Sequence, residues 1–350
     1  MSDQVTAETS PAVPRTFDEA TDPAWLTHAL SAVTGGARIT EVKVVEVLRT
    51  MATKFRFVAK WDGGEGAFCL KAFLDVDPAS ARGSDVTTLE CDFYTKIAPE
   101  VPIRVPTAVA TFVDRPGRQG VLIMRDLVVD GARFCSALEP FSPDQAAASL
   151  DQLARLHASQ KVLEQAPWIA HRLGEFAGGR FIQPASLQEL LDGPRGDDLT
   201  PGVRNAARLL DGLEALAAHD KGLPQTLVHG DCHAGNIYQT ADGPGLIDWQ
   251  LLQHGNWALD VAYHMSAILP VEVAEREEKR LLADYLARAK GYGCEALDFD
   301  TAYEHYRRAV VWGYFLWAIT RRVDPAIINV FVDRMGKAVE RHGSFELLNV

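Results

Sequence analysis

The stretch Leu227-Val-His229-Gly-Asp231-Cys-His233-Ala-Gly-Asn236, followed by Gly245-Leu-Ile-Asp248-Trp-Gln, sets two carboxylates and one amide on loops beside short β-like runs. Asn236 offers a carbonyl oxygen and Asp248 an anionic oxygen, hard donors of the kind Mg²⁺ takes while completing its shell with phosphate oxygens and water. Asp231 then stays available to accept a proton. A carboxylate that orients and deprotonates a hydroxyl, beside oxygen ligands for a metal clamped on phosphates, is the set that phosphoryl transfer requires. Its barrier falls mainly through positioning and charge neutralisation. Zinc fits less well, because His229 and His233 are two imidazoles without a third soft ligand at suitable spacing.

The bulk of the chain narrows the partners. At 350 residues and 47% hydrophobic content it is long enough to bury a large core in one domain or two joined lobes. With 47 acidic against 35 basic residues the net charge is -12, a field that repels nucleic-acid phosphates. That charge would favour a cationic substrate, and it equally serves solubility. The five cysteines (Cys69, Cys91, Cys135, Cys232, Cys294) form no C-x-x-C pair and read as reduced thiols. No apolar run reaches about 18 residues, and Met1 to Pro14 lacks basic and apolar signal regions. The expectation is a cytoplasmic protein with no membrane partner.

The elements that must position the trio follow from periodicity. Residues 1 to 22 read as a flexible tail, with a helix from Pro23 to Val33 capped by Asp22 and stopped by Gly35-Gly36. Three β-like runs, 39–48, 54–61 and 66–73, precede helical spacing over 85–97 and two further strands at 107–113 and 120–124. That order gives a small antiparallel sheet carrying one helix rather than a βαβ series. Beyond residue 142 the chain reads mostly as helix, over 143–158, 201–218, 271–289, 299–320 and 325–341. A short β patch at 226–228, 237–239 and 245–247 surrounds the trio. The segment 174–200 reads either as a substrate-covering piece or as a long surface connection.

His-Gly-Asp-x-x-x-x-Asn followed by Ile-Asp-Trp resembles the catalytic and metal-binding loops of the aminoglycoside phosphotransferase and choline kinase superfamily. The Asp-Trp-Gln ending, the His-x-Gly-Asn loop and Gly255-Asn-Trp-Ala-Leu-Asp260-Val-Ala-Tyr263 are similar to its CHK, or ecdysteroid-kinase-like, branch and bacterial relatives. The resemblance spans residues 35 to 345 and is sharp between 227 and 264. It implies an α+β, protein-kinase-like two-lobed fold: an N-lobe over 23–124, a hinge over 125–130 and a helical C-lobe over 131–350. It implies ATP and Mg²⁺ as cofactors and a small-molecule hydroxyl as acceptor. Asp231 matches the family's base, Asn236 and Asp248 its metal ligands, and Asp260 the buried aspartate that fixes the catalytic loop. His233 reads either as a γ-phosphate donor or as a loop brace, and His229 as a brace.

Upstream, Lys71 in Phe68-Cys-Leu-Lys71 matches the lysine that reaches the α- and β-phosphates, with Glu90 as its partner; alone it would read as a solvated edge lysine. Met124 and the backbones of Arg125 and Leu127 match the adenine contacts. One departure is the turn Arg49-Thr-Met-Ala-Thr53, which lacks the glycines that let backbone amides approach phosphates. The hydroxyls of Thr50 and Thr53 are the candidates to replace them. Trp312 and Trp317 read as acceptor-pocket walls or as core, and His157 as a helix-packing residue. Two alternatives stand beside a general small-molecule kinase: an aminoglycoside kinase, for which the C-terminal helices show no carboxylate cluster, and a nucleotide-binding pseudokinase, which the glycine-free turn favours and the intact trio opposes.

Overall fold

The computed structural model describes residues 12–50, 52–76, 85–179 and 181–350, so residues 1–11 of the expected tail and Met51 of the glycine-free turn lie outside it. The chain divides into two compact units. The first comprises residues up to Thr95 together with Thr107–Asp130, and the second Lys96–Pro106 with Gly131–Val350. The segment 96–106, expected in the N-lobe, belongs to the second unit because its backbone is tied there. Arg104 N–H donates to Gln152 Oε1 (2.7 Å), and Leu246 N–H donates to the Arg104 carbonyl (3.0 Å).

The first unit holds helices α1 (Phe17–Thr21), α2 (Pro23–Ala29), α3 (Ser31–Thr34) and α4 (Asp85–Asp92). Its strands are β1 (Ile39–Arg49), β2 (Thr53–Trp61), β3 (Gly64–Ala72), β4 (Ala108–Asp114) and β5 (Gln119–Arg125). All neighbouring strands are antiparallel, in the order β1-β2-β3-β5-β4. Alternation along β2, β3 and β5 sorts the residues by face. Phe55, Phe57, Phe68, Leu70, Val121 and Ile123 point to a common core, which Ala20, Leu26 and Leu30 complete.

Those last residues correct the expected tail. Residues 12–22 are ordered because they close that core: Phe17 packs edge-on to Phe55 at 4.9 Å between ring centroids, and Trp25 Nε1–H donates to the Ala12 carbonyl (3.1 Å). A reciprocal capping box joins Thr16 and Glu19 at the start of α1. Asp22 caps α2 as expected, accepting from Ala24 and Trp25 N–H at 2.7 and 2.9 Å, and Gly35 ends the short α3 at φ +65°.

The second unit runs β6 (Arg133–Phe134), α5 (Pro143–His157), α6 (Gln160–Glu164), α7 (Arg172–Gly179), α8 (Pro184–Leu191), α9 (Ala206–Asp220) and β7 (Thr226–Val228). It continues through β8 (Ile237–Thr240), β9 (Gly243–Leu246), β10 (Gln253–Gly255), α10 (Ala258–Ile268), α11 (Val271–Gly291), α12 (Phe299–Ile319), α13 (Pro325–His342) and α14 (Ser344–Leu347). The segment 174–200 is therefore not a bare connection, since it carries most of α7 and all of α8. Helix α9 starts five residues later than periodicity implied, because Thr200 opens a turn and the Asn205 side chain caps at Arg208 N–H (3.0 Å). Every residue of α10 is buried, the signature of a helix through the middle of a core. Among the described residues no helix is long and apolar enough to cross a membrane.

If the N-terminal helices are part of the fold, Leu26→Ala, at a position with 0% exposure, should cost about 2–5 kcal/mol. Urea unfolding of the two proteins measures this, and an unchanged midpoint would contradict it.

Candidate active site

The loop between β7 and β8 carries His229, Asp231, His233 and Asn236. Buried Asp260 holds it from below: Oδ2 accepts from His229 N–H (2.7 Å) and Oδ1 from Gly230 N–H (2.8 Å). His157 Nε2–H donates to the same Oδ2 (3.1 Å), and the Tyr285 hydroxyl donates to His157 Nδ1 (2.7 Å). Burial alone would raise the Asp260 pKa. The hydrogen bond from His157, the electrostatic pull of the His157 and His229 imidazoles and the Gly230 amide reverse that and hold it below the usual carboxylate value. His157 is thus more than a packing residue, since it stabilises the anion that anchors the loop.

Gly230 is required here. It sits at φ +82°, and a Cβ would lie 2.3 Å from the Leu251 carbonyl oxygen.

One face of α10 grips four successive loop residues. Asp260, Tyr263 and His264 are spaced i, i+3, i+4, so they project from the same side of the helix. Asp260 takes His229 and Gly230, the Tyr263 hydroxyl donates to Asp231 Oδ1 (2.9 Å), and His264 Nδ1–H donates to the Cys232 carbonyl (2.7 Å). His264 Nε2 then accepts from the Ser149 hydroxyl (2.7 Å). Helix α12 adds two indoles: Trp312 Nε1–H donates to the Gly230 carbonyl (2.9 Å) and Trp317 Nε1–H to the Tyr263 hydroxyl (2.7 Å). Both tryptophans are buried, so they act as core braces of the loop rather than as open pocket walls. Sequence reasoning missed Tyr263 and His264, although their spacing from Asp260 was the available signal.

The trio comes together. Asn236 Nδ2 donates to the Asp231 carbonyl (2.8 Å) and to Asp231 Oδ2 (3.2 Å), which leaves the Asn236 carbonyl oxygen as the atom to meet a cation. Ile247 N–H donates to the Asn236 carbonyl backbone (3.0 Å), bringing Asp248 beside Asn236. Asp248 itself sits at φ +65°, a conformation strained for an L residue and one found at functional sites. The side chain of Asp231 is 26% exposed. Enclosure and then the like charge of Asp248 push its pKa up to about 6, against the opposing hydrogen bonds of Tyr263 and Asn236. Among the described residues there is no cluster of three His, Cys, Asp or Glu side chains to enclose a metal. One carboxylate and one amide oxygen instead match a Mg²⁺ site that phosphates and water complete.

His229 braces the loop: Nε2–H donates to the Ile247 carbonyl (3.0 Å) and Nδ1 accepts from Asp231 N–H (3.2 Å), with burial lowering its pKa. His233 Nδ1 accepts from Gly235 N–H (3.0 Å), and its Nε2 stands 3.8 Å from Asp231 Oδ1.

In the first unit, Lys71 Nζ and Glu90 Oε2 form a buried ion pair at 2.7 Å. Gly120 allows it: a Cβ there would lie 2.4 Å from the Thr87 carbonyl oxygen, so only glycine lets α4 come this close to β5. Met124 is half-buried at the end of β5, and Leu127 follows two residues past the strand. Arg125 N–H is already committed to the Thr107 carbonyl (3.0 Å), which leaves only its carbonyl for an adenine contact. Thr53 does not serve as expected. It is 4% exposed and lies on the face of Phe55 and Phe57, opposite Lys71, while the Thr50 hydroxyl donates to the Ala52 carbonyl (3.3 Å).

A five-stranded antiparallel unit with a buried Lys–Glu pair, joined in sequence to a helical unit bearing this loop, defines a kinase-like phosphotransferase. The family model described as the phosphotransferase enzyme family, APH, matches residues 57–298, and the chain belongs to that family. The fold is shared with Plasmodium vivax ethanolamine kinase, at 12% identity over 91% of this chain and 87% of that one (TM-score 0.52). It is shared with a microcompartment-associated aminopropanol kinase at 15% identity over 92% and 99% of the two chains (TM-score 0.51). Amicoumacin kinase in complex with AMP-PNP, Ca²⁺ and Ami is likewise similar, at 14% identity over 85% and 88% (TM-score 0.51). No curated protein matches the sequence.

His264, buried and neutral, should set part of the acid sensitivity. Burial lowers its pKa from 6.5 to about 4, so the unfolded chain takes up this proton first. Its contribution to stability is full above pH 6.5, falls as the pH drops, and is lost below 4, about 3 kcal/mol in all. Denaturant titrations from pH 7 to 4 should show a shallower loss in His264→Gln than in wild type; parallel curves would refute the assignment.

Proposed function

We propose that this protein transfers the γ-phosphoryl group of ATP to a hydroxyl of a small organic molecule, with Asp231 as the base. The observation that carries this is the contact of Asp231 with Asn236 at 3.2 Å, beside the charge of Asp248 and on a loop fixed by Asp260. That arrangement offers a proton acceptor next to two oxygen donors for one cation. Asn236 Oδ1 and the Asp248 carboxylate would hold Mg²⁺, and the bound ion would neutralise charge on the phosphate oxygens.

Asp231 orients the acceptor O–H and takes its proton as the oxygen bonds to the γ-phosphorus and the bond to the β-phosphate oxygen breaks. Tyr263 and Asn236 each hold one of the two Asp231 oxygens, so the carboxylate is oriented before the acceptor arrives. His233, with Nδ1 accepting from the backbone, carries its proton on Nε2 and serves as a donor toward the transferring phosphoryl group. Lys71, steadied by Glu90, holds the α- and β-phosphates, and Met124, the Arg125 carbonyl and Leu127 receive the adenine. Amicoumacin kinase holds AMP-PNP and Ca²⁺ on the same fold, and we extend that pairing here as ATP with Mg²⁺.

Replacing Asp231 by Asn should remove most turnover, about 10²-fold or more, while nucleotide binding stays within a few-fold of wild type. The assay is ATP consumption with and without Mg²⁺ against small alcohols, sterols, amino alcohols and aminoglycosides, paired with calorimetric ATP binding. Turnover equal to wild type in Asp231→Asn would remove the base assignment.

A further inference from the structure

The Tyr263 hydroxyl stands between two partners of fixed sense. An indole nitrogen only donates, so Trp317 Nε1–H occupies the accepting side of that oxygen (2.7 Å) and turns its O–H onto Asp231 Oδ1 (2.9 Å). The second carboxylate oxygen also meets an obligate donor. Asn236 Nδ2 faces two acceptors, the Asp231 carbonyl (2.8 Å) and Oδ2 (3.2 Å), which fixes the amide with its nitrogen on that side. Tyr263 is 0% exposed, and burial, then the Asp231 charge, keep its phenol protonated far above the ordinary range. Helix α12 is shaped to receive the ring. Gly313 lies inside that helix, where glycine is poorer than alanine, and a Cβ there would stand 2.6 Å from Tyr263 Cδ2. Trp317 follows four residues on, one turn along the same face, which carries its indole from the ring to the hydroxyl. Phe331 backs the indole, with ring centroids 4.2 Å apart.

We propose that Trp317 is a positioning residue of the phosphoryl transfer: it holds the Tyr263 hydroxyl as a donor throughout, so the proton that Asp231 takes sits on a lone pair that neither Tyr263 nor Asn236 occupies. The inference rests on Asp231 acting as the base. An ionised carboxylate turns a tyrosine O–H toward itself unaided. A protonated one does not, because its own O–H can donate to the tyrosine oxygen, and the indole closes that option. As the acceptor oxygen bonds to the γ-phosphorus and the bond to the β-phosphate oxygen breaks, the acceptor's proton passes to the open side of Asp231. It leaves to water after the product departs. The Asp231 side chain is 26% exposed, so such a side exists.

The test is a double-substitution cycle on the full chain: wild type, Trp317→Phe, Tyr263→Phe and the two combined. Each is assayed for ADP formation from MgATP with whichever member of the acceptor panel above wild type turns over fastest. Trp317→Phe should lower kcat about tenfold, the effect of losing one neutral hydrogen bond, with KM for MgATP within about twofold of wild type. Tyr263→Phe should lower kcat at least as far. Adding Trp317→Phe to it should then cost less than about twofold more, because the indole has no hydroxyl left to direct. Losses that multiply in the combined variant would overturn the inference, by showing an effect of packing alone, and so would an unchanged kcat in Trp317→Phe. Should Trp317→Phe fail to fold, replacing Trp317 by its benzothienyl analogue, with sulfur in place of N–H, makes the same comparison at nearly unchanged shape. A wild type idle on the whole panel, or Asp231→Asn as active as wild type, would instead overturn the base reading beneath it.

Discussion

A single buried carboxylate, Asp260, carries the arrangement of the second unit. A charge removed from water needs several hydrogen bonds to remain ionised, and Asp260 finds them in the backbone N–H groups of His229 and Gly230 and in His157. The same bonds leave the loop little conformational choice. With 229 and 230 fixed, Asp231 must project where Tyr263 and Asn236 reach its two oxygens, and the residues after it must turn through Ala234–Asn236 into β8. The rigidity comes from one face of α10, a helix buried throughout, and from two buried indoles of α12. A carboxylate held this way loses little entropy on meeting a partner.

The first unit rests on a different constraint, the two-residue period of its strands. One face of the sheet buries aromatic residues under α1 and α2, and the other is left for Lys54, Cys69, Lys71 and Met124. Because parity along a strand is strict, a residue's chemical type says less than whether its number is odd or even relative to Lys71. Thr53 has a suitable hydroxyl and the wrong parity. The close approach of α4 at Gly120 then delivers Glu90 to Lys71, an ion pair with both side chains buried.

Much of this was legible beforehand. The spacing His-Gly-Asp-x-x-x-x-Asn with Ile-Asp-Trp pointed to the trio, the run of three strands, one helix and two strands gave the antiparallel unit, and Asp22 with Gly35 bounded one expected helix that the structure divides into α2 and α3. Family membership agrees with that reading, although the structural relatives share only 12 to 15% of residues. Residues 12–22 looked like a tail because their polar composition hides how few apolar side chains, Phe17 and Ala20 among them, suffice to dock a segment on a sheet. The helices α7 and α8 were obscured by Gly178-Gly179 and Gly193-Pro194, which read as loop residues although they stand only at helix ends or beyond.

The sequence by itself determined which groups are present and their order along the chain: the carboxylates Asp231 and Asp248 with the amide of Asn236, a strand lysine with its glutamate, and the spacing of Asp260, Tyr263 and His264. These are local facts of type and period. Which contacts those groups make was decided only in three dimensions. That Trp317 bonds Tyr263, that His157 stabilises Asp260, and that Lys54 rather than Thr53 shares a face with Lys71 depend on register and on helix packing between residues as many as 103 positions apart. Hydrogen bonds and strand pairing act over a few ångströms of space, and no pattern along the chain encodes distances between segments so far separated in it.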